Sequence, residues 1–259
     1  MKLALWQGAG TPGDLAATVA HAAQVIDDAA RAGAALLVFP EGFLTGYHIP
    51  DLAPGGLPGV EEALSQVGAA ARASGLGVVM GTHLDRPEGL RNSAVVFGPD
   101  GAELGRYHKR ALFGGWEKAT FVPGDAPCRF RLGGATVGVL ICYDVEFPEL
   151  VRAEAQAGAD LVVVPTALMA PHHRVARQMV AVRALENQIF LGYCNRAGAE
   201  PEMSFVGLSS ISGPRGQTLA QAGTGEETEM ILAELDLSEI ARERAEASYL
   251  DDLTALRGL

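Results

Sequence analysis

The chain reads as an α/β protein, a four-layer α-β-β-α sandwich of two mixed sheets with internal pseudo-twofold symmetry. Three observations predict this. Short apolar runs rich in Val, Ile and Leu (LALWQ, ALLVFP, LGVVMG, VGVLIC, DLVVVP and IFLGYC) alternate with Ala-rich amphipathic stretches. Strands buried on both faces, alternating with the helices that cover them, give this pattern. The order then repeats. Strand, helix, ALLVFPEG, helix, LGVVMGTHL and NSAVVFGPDGAEL are answered by TVGVLICYD, helix, DLVVVPTA, helix, IFLGYCN and VGLSSISGPRGQTL. Finally, Gly98-Pro99-Asp100-Gly101 and Gly213-Pro214-Arg215-Gly216 take the same place in the two halves, as hairpin turns.

Taken in order, LALWQ opens the first sheet, and a helix over roughly 15–32 is closed by Gly33. ALLVFP is stopped by Pro40. In the second half VGVLIC leads into a helix over roughly 147–157, with Pro148 in its first turn and Gly158 closing it. The segment SEIARERAEASYLDD is partly helical by its pattern. A single doubly wound sheet would leave the two GPxG hairpins without a place. No Ser/Gly linker or low-complexity segment divides the halves, so residues 1–259 are expected to form one domain.

With 48% hydrophobic residues in 259, the chain can fill a substantial core. A net charge of −11 with no run of five like charges argues against nucleic acid or an anionic membrane surface as partner. No apolar stretch approaches the roughly 18 residues of a membrane span, and Met1-Lys2-Leu3 runs straight into a strand, so a cytoplasmic protein is expected. Cys128, Cys142 and Cys194 lack CxxC spacing and are odd in number, which leaves at least one free thiol. The glycine pairs 55–56, 114–115 and 133–134 lack the Lys-Ser/Thr of a phosphate loop and read as turns. His172-His173 comes without the spacing of a metal site. No metal or organic cofactor is called for.

Three polar residues sit where apolar strands end, the place where open α/β sheets build their sites. Glu41 follows ALLVFP, with Gly42 freeing the backbone. Cys142 follows TVGVLI at a strand-to-helix elbow, where backbone N–H groups and a helix N-terminus favour a thiolate and an oxyanion. Lys109 ends GRYHKR after a strand that begins at Asn92. Each alone also reads blandly: a solvated loop carboxylate, a buried small thiol, a surface lysine. Cys128 and Cys194 fit core packing better than Cys142 does.

FPEGFLTGY, YHKRALF and LICYDVEFPE, in that order, resemble the signature segments of the nitrilase superfamily of carbon–nitrogen hydrolases, and the similarity runs from the first strand to about residue 240. VPTALMAP, VRALENQ and NRAG add a likeness to short bacterial amidases such as 5-aminopentanamidase and stereoselective amidases. The resemblance implies Glu41 as general base, Cys142 as nucleophile, Lys109 as oxyanion stabiliser or proton donor, and Glu117 as an acidic residue orienting the lysine and substrate. It implies hydrolysis of a small linear carboxamide to acid and ammonia through an acyl-thioester. An ω-amino amide such as 5-aminopentanamide would suit Glu146, while nitriles and N-carbamoyl amino acids are open to the same triad. Tyr47, Tyr143, Glu146, Thr166 and Ala167, after strand ends or within the motifs, are candidate substrate contacts. Many relatives carry histidine two residues after the lysine, where this chain has Ala111. A homodimer, through helical material between Pro148 and Gln188, is the family expectation.

Two rival readings stay open. A Cys-His protease or acyltransferase would use His108 as base, although neighbours on a strand face opposite ways. A small-molecule binding protein would need no reactive cysteine at all.

Overall fold

The structure, a computed structural model, describes residues 1–200 and 203–256. The first half runs β1 (Lys2–Gln7), α1 (Leu15–Arg31), β2 (Leu36–Val38), α2 (Val60–Ser74), β3 (Gly77–Arg86), β4 (Gly89–Phe97) and β5 (Glu103–His108). The short α3 (Gly114–Thr120) leads into β6 (Cys128–Leu132) and β7 (Ala135–Val139). There follow α4 (Pro148–Gln156), β8 (Leu161–Thr166), α5 (Val180–Asn187) and β9 (Phe190–Asn195), and a small hairpin of β10 (Ala199–Glu200) with β11 (Met203–Ser204). β12 (Ser210–Ser212), β13 (Thr218–Gln221), β14 (Glu229–Glu234), α6 (Ser238–Glu246) and α7 (Tyr249–Leu256) complete the described chain.

Two six-stranded mixed sheets form, in the orders β14-β1-β2-β3-β4-β5 and β13-β12-β9-β8-β7-β6. In each, three parallel strands (β1-β2-β3 and β7-β8-β9) are extended by two antiparallel ones, closed by the GPDG and GPRG turns. The antiparallel strand on the far edge is β6 in one sheet and β14 in the other. Neither edge strand is legible in the repeat, because each lies outside the repeated order of strands and helices.

Side-chain alternation sorts the layers. Leu3, Leu5, Leu36, Val38 and Val79 face inward against Val137, Val139, Leu161, Val163 and Phe190 of the other sheet. The intervening Ala4, Leu37, Phe39, Val78 and Met80 face α1 and α2 through Val19, Ala22, Ile26, Ala63, Leu64 and Val67. On the other outer layer Val151 and Ala155 of α4 and Val180 and Ala184 of α5 are buried. This is the α-β-β-α sandwich. The sheets meet closely: a Cβ on Gly192 would stand 2.9 Å from Leu3 Cδ2. Among the described residues, no helix is long and apolar enough to cross a membrane.

The helix ends follow the expected signals. Asp14 caps α1 by accepting from Ala17 N at 2.9 Å, and Gly33 follows it at φ +77°. Pro148 opens α4, and Gly158 closes it at φ +87°.

Candidate active site

The site lies where three strands of the parallel cores and their antiparallel extensions end. After β2, Pro40 stops the ladder and Glu41 turns into the interior, fully buried. Only glycine fits opposite: a Cβ at Gly81 on β3 would fall 1.9 Å from Pro40 O. From the end of β5 comes Lys109, whose backbone N–H donates to Asn92 O on β4 at 2.8 Å. After β7 the chain leaves through Cys142, in the left-handed region at φ +46°, into one turn of 3-10 helix over Cys142–Glu146. A non-glycine residue held there is strained, and such strain is tolerated where it aims a group.

The three residues converge, and Glu117 joins them. Lys109 Nζ donates to Glu41 Oε1 and to Glu117 Oε1, each at 2.7 Å, with all three side chains buried. Glu117 Oε1 also accepts from Tyr47 OH at 2.8 Å, while Oε2 takes Phe113 N at 2.6 Å. A second donor reaches Glu41 Oε1 from Asn92 Nδ2 at 2.7 Å. Glu41 Oε2 is buried with no hydrogen-bond partner. One lysine thus stands between two carboxylates in a dry interior, where removing the lysine would leave two carboxylates facing each other uncompensated.

The electrostatics follow from this packing. Burial pushes the Glu41 carboxyl above the usual glutamate range, with Lys109 opposing it. Burial alone would lower Lys109, but the charges of Glu41 and Glu117 override it and hold the ammonium above the ordinary lysine range. The Cys142 thiol is pushed well up, first by burial and then by the Glu41 charge, against the pull of Lys109 and the Ala167 N–H. That direction favours the thiol over the thiolate at Cys142.

Cys142 opens onto a small, tight pocket lined by Tyr47, Phe113, Tyr143, Glu146, Ala167, Leu168, Met169 and His172. Four of the five expected substrate contacts are in that wall. Thr166 is not: it is wholly buried on β8, and its hydroxyl donates to Val164 O at 2.9 Å within its own strand. The residue after it, Ala167, faces the cavity instead. Among the described residues Glu146 is the one carboxylate in the wall, pushed up by burial against His172, Lys109 and Arg183. His172 packs edge-on to Phe113, as does Tyr143, with centroids 5.7 and 5.3 Å apart. His108 bonds Ser93 Oγ through Nδ1 at 2.7 Å, away from the Lys109 cluster, as strand alternation requires.

Sequence reasoning passed over the residues that brace this cluster. Asp144, fully buried, accepts from Tyr107 OH at 2.8 Å, Ala111 N at 2.7 Å and Ile141 N at 3.0 Å, and so ties the lysine segment to the cysteine elbow. Arg196, also fully buried, donates to Glu41 O at 3.2 Å and Gly42 O at 2.9 Å and pairs with Glu200. Glu200 in turn accepts from Tyr47 N at 3.0 Å and His48 N at 2.7 Å. A single buried ion pair thereby clamps both ends of the segment from Glu41 to His48. Asp144 and Arg196 lie inside the motifs LICYD and NRAG, which was the available signal; Glu200 had none.

Comparison with known proteins accords with this geometry. The family model of carbon–nitrogen hydrolases matches residues 2–245. An (R)-stereoselective amidase of a Pseudomonas species is 36% identical over 254 residues, covering 97% of this chain and 91% of that protein. A nitrilase of Pyrococcus abyssi is 38% identical over 233 residues, with 86% and 85% covered. Among solved structures, an amidase from Nesterenkonia sp. AN1 superposes with a TM-score of 0.84 at 36% identity, over 95% of this chain and 97% of that one. Variants of that amidase have been solved with butyramide bound and with acrylamide or the acetamide moiety of fluoroacetamide added at the active-site cysteine. The chain belongs to the carbon–nitrogen hydrolase family, and it is an amidase-type hydrolase of carbon–nitrogen bonds other than peptide bonds.

Proposed function

We propose that this chain, acting as one domain, hydrolyses small linear carboxamides with Cys142 as nucleophile, Glu41 as general base, Lys109 as oxyanion partner and Glu117 as the group that holds the lysine. One observation carries the reading: Glu41 offers a buried, unpartnered Oε2 while Oε1 is pinned by Lys109 and Asn92. The thiol proton passes to Glu41 as Sγ attacks the amide carbon, and the oxyanion is met by Lys109 Nζ and the Tyr143 backbone N–H. Glu41 returns its proton to the amine, the C–N bond breaks, and ammonia leaves an acyl-thioester. Glu41 then takes a proton from water, whose oxygen attacks the thioester and releases the carboxylic acid and the thiol.

The wall of the cavity supports a substrate class. Glu146, set in the wall among Tyr47, Tyr143, Ala167, Leu168 and Met169, offers a carboxylate to a cationic end. The substrate proposed is an ω-amino amide of the 5-aminopentanamide type. Ammonia release from a panel of linear amides, ω-amino amides, nitriles and N-carbamoyl amino acids tests it. Glu146→Gln should lower kcat/KM for 5-aminopentanamide relative to pentanamide by about tenfold; an unchanged ratio overturns the assignment. Apolar side chains left on the surface of α5, Val182 at 48% exposure and Leu185 at 40%, support a homodimer through the α4–α5 face, in the cytoplasm. Sedimentation tests the dimer.

A further inference from the structure

We propose that Asn92 is a positioning residue that decides which oxygen of Glu41 serves as the base. This rests on the reading of Glu41 as base. Asn92 makes two contacts in the site: its backbone oxygen accepts from Lys109 N at 2.8 Å, and its Nδ2 donates to Glu41 Oε1 at 2.7 Å. Lys109 Nζ donates to that same oxygen. The terminal torsion of a glutamate is broad and two-fold. An ammonium, with three rotatable donors, does not by itself prevent the carboxylate from exchanging its oxygens. A second donor from another direction fixes the carboxylate plane, spends the lone pairs of Oε1, and leaves Oε2 as the oxygen able to take the thiol proton.

The other half of the Asn92 amide argues that stability does not explain it. Asn92 Oδ1 is buried without a hydrogen-bond partner. A buried amide using only its donor is a poor device for holding a fold, and an apolar side chain of the same shape would serve the core at least as well. Polar groups kept at such a cost are characteristic of functional sites.

The charged and titratable groups facing Glu41 are Lys109 from the end of β5, Glu117 from α3, Cys142 from the elbow, and Arg196 at the Glu41 carbonyl. Tyr47 stands in the same network, and His83 pairs with Asn92 across β3 and β4. The Asn92 donor favours the ionised form of Glu41. Its loss therefore raises the proton affinity of Glu41 and moves the acid limb of kcat/KM to higher pH.

The test compares Asn92→Leu with wild type in kcat, KM, the acid limb of the pH profile and thermal midpoint, with Glu41→Gln alongside. The expected result is a fall in kcat of about 10- to 100-fold, KM within about twofold, an acid limb moved upward, and a thermal midpoint unchanged or higher. Wild-type kcat and acid limb in Asn92→Leu, or a loss of activity that only tracks a lower midpoint, would overturn the proposal. Should Asn92→Leu fail to fold, Asn92→Ser, whose hydroxyl is too short to reach Glu41, is read by the same criteria. Wild-type activity in Glu41→Gln would instead remove the base assignment itself, a result separate from either outcome for Asn92.

Discussion

The two halves of the molecule share a topology and divide the chemistry. Leu5 pairs with Val38 in the first sheet as Val139 pairs with Val163 in the second, so the strand exits can be matched residue by residue. Two residues beyond Val38 and Val163 stand Pro40 and Pro165, and the next positions are Glu41 and Thr166. Three residues beyond Leu5 and Val139 stand Gly8 and Cys142. The first half spends its second exit on a carboxylate and leaves glycine at its first. The second half puts the thiol at its first exit, and at its second a hydroxyl that bonds its own strand. With Asn92, Lys109 and Glu117 added, the first half would, on the proposed roles, handle protons and charge. The second brings the nucleophile and much of the apolar wall that meets substrate. A symmetric fold thus supplies equivalent strand ends, and side-chain identity alone decides which of them react.

The sharpest way to break this division is to remove the charge that binds it together. Lys109→Met leaves Glu41 and Glu117 facing each other in a buried site, so a loss of roughly 3–5 kcal/mol in stability is expected, with kcat down about 10²–10³-fold. Denaturant unfolding and steady-state rates measure both. Undiminished stability would mean that one carboxylate is already protonated in the folded protein.

A smaller effect separates structural from proton-handling groups within the first half. His83, fully buried with neither ring nitrogen partnered, is held down to about 3 by burial, then by Arg196 and Lys109. Its folded value lies below the ordinary 6.5. The unfolded chain therefore binds a proton that the folded one refuses, and stability falls as pH drops from 6.5 towards 3, by at most about 1.4 kcal/mol per pH unit. His83→Leu should flatten the stability curve in that window; an unchanged slope assigns the acid lability elsewhere.

The smallest change is expected in the second half at Thr166. Thr166→Val removes a hydroxyl that donates to Val164 O of its own strand and meets Tyr193 on β9, so kcat/KM should stay within about threefold. A tenfold loss would return Thr166 to the substrate contacts.

Much of this was legible in the sequence because strand ends are punctuated. Pro40, Pro148, Gly33 and Gly158 mark exits and caps by local stereochemistry, and the GPDG and GPRG turns expose the repeat. The edge strands β6 and β14 were not, since both lie outside the repeated order: β6 is a hairpin arm added before β7, and β14 pairs with β1 at the far end of the chain. At the site, Glu41, Lys109 and Cys142 stand at exits, but Asn92 lies within a strand. Its role depends on the cross-strand register with Lys109 and on which oxygen of Glu41 it meets. Arg196 and Glu200 are likewise defined by contacts some 150 residues away. Thr166 lies outside the pocket wall, because position after a strand does not say whether a hydroxyl will satisfy itself on its own backbone.

The most direct test of the account is peptide-resolved mass spectrometry after brief exposure to fluoroacetamide near neutral pH, with ammonia release from a small amide assayed on the same samples and on Cys142→Ala. The account predicts a covalent acyl or alkyl adduct on Cys142 ahead of the buried Cys128 and Cys194, loss of turnover in proportion to labelling, and activity reduced by several orders of magnitude in Cys142→Ala. Labelling spread over Cys128 or Cys194, or amide hydrolysis by Cys142→Ala near the wild-type rate, would contradict it.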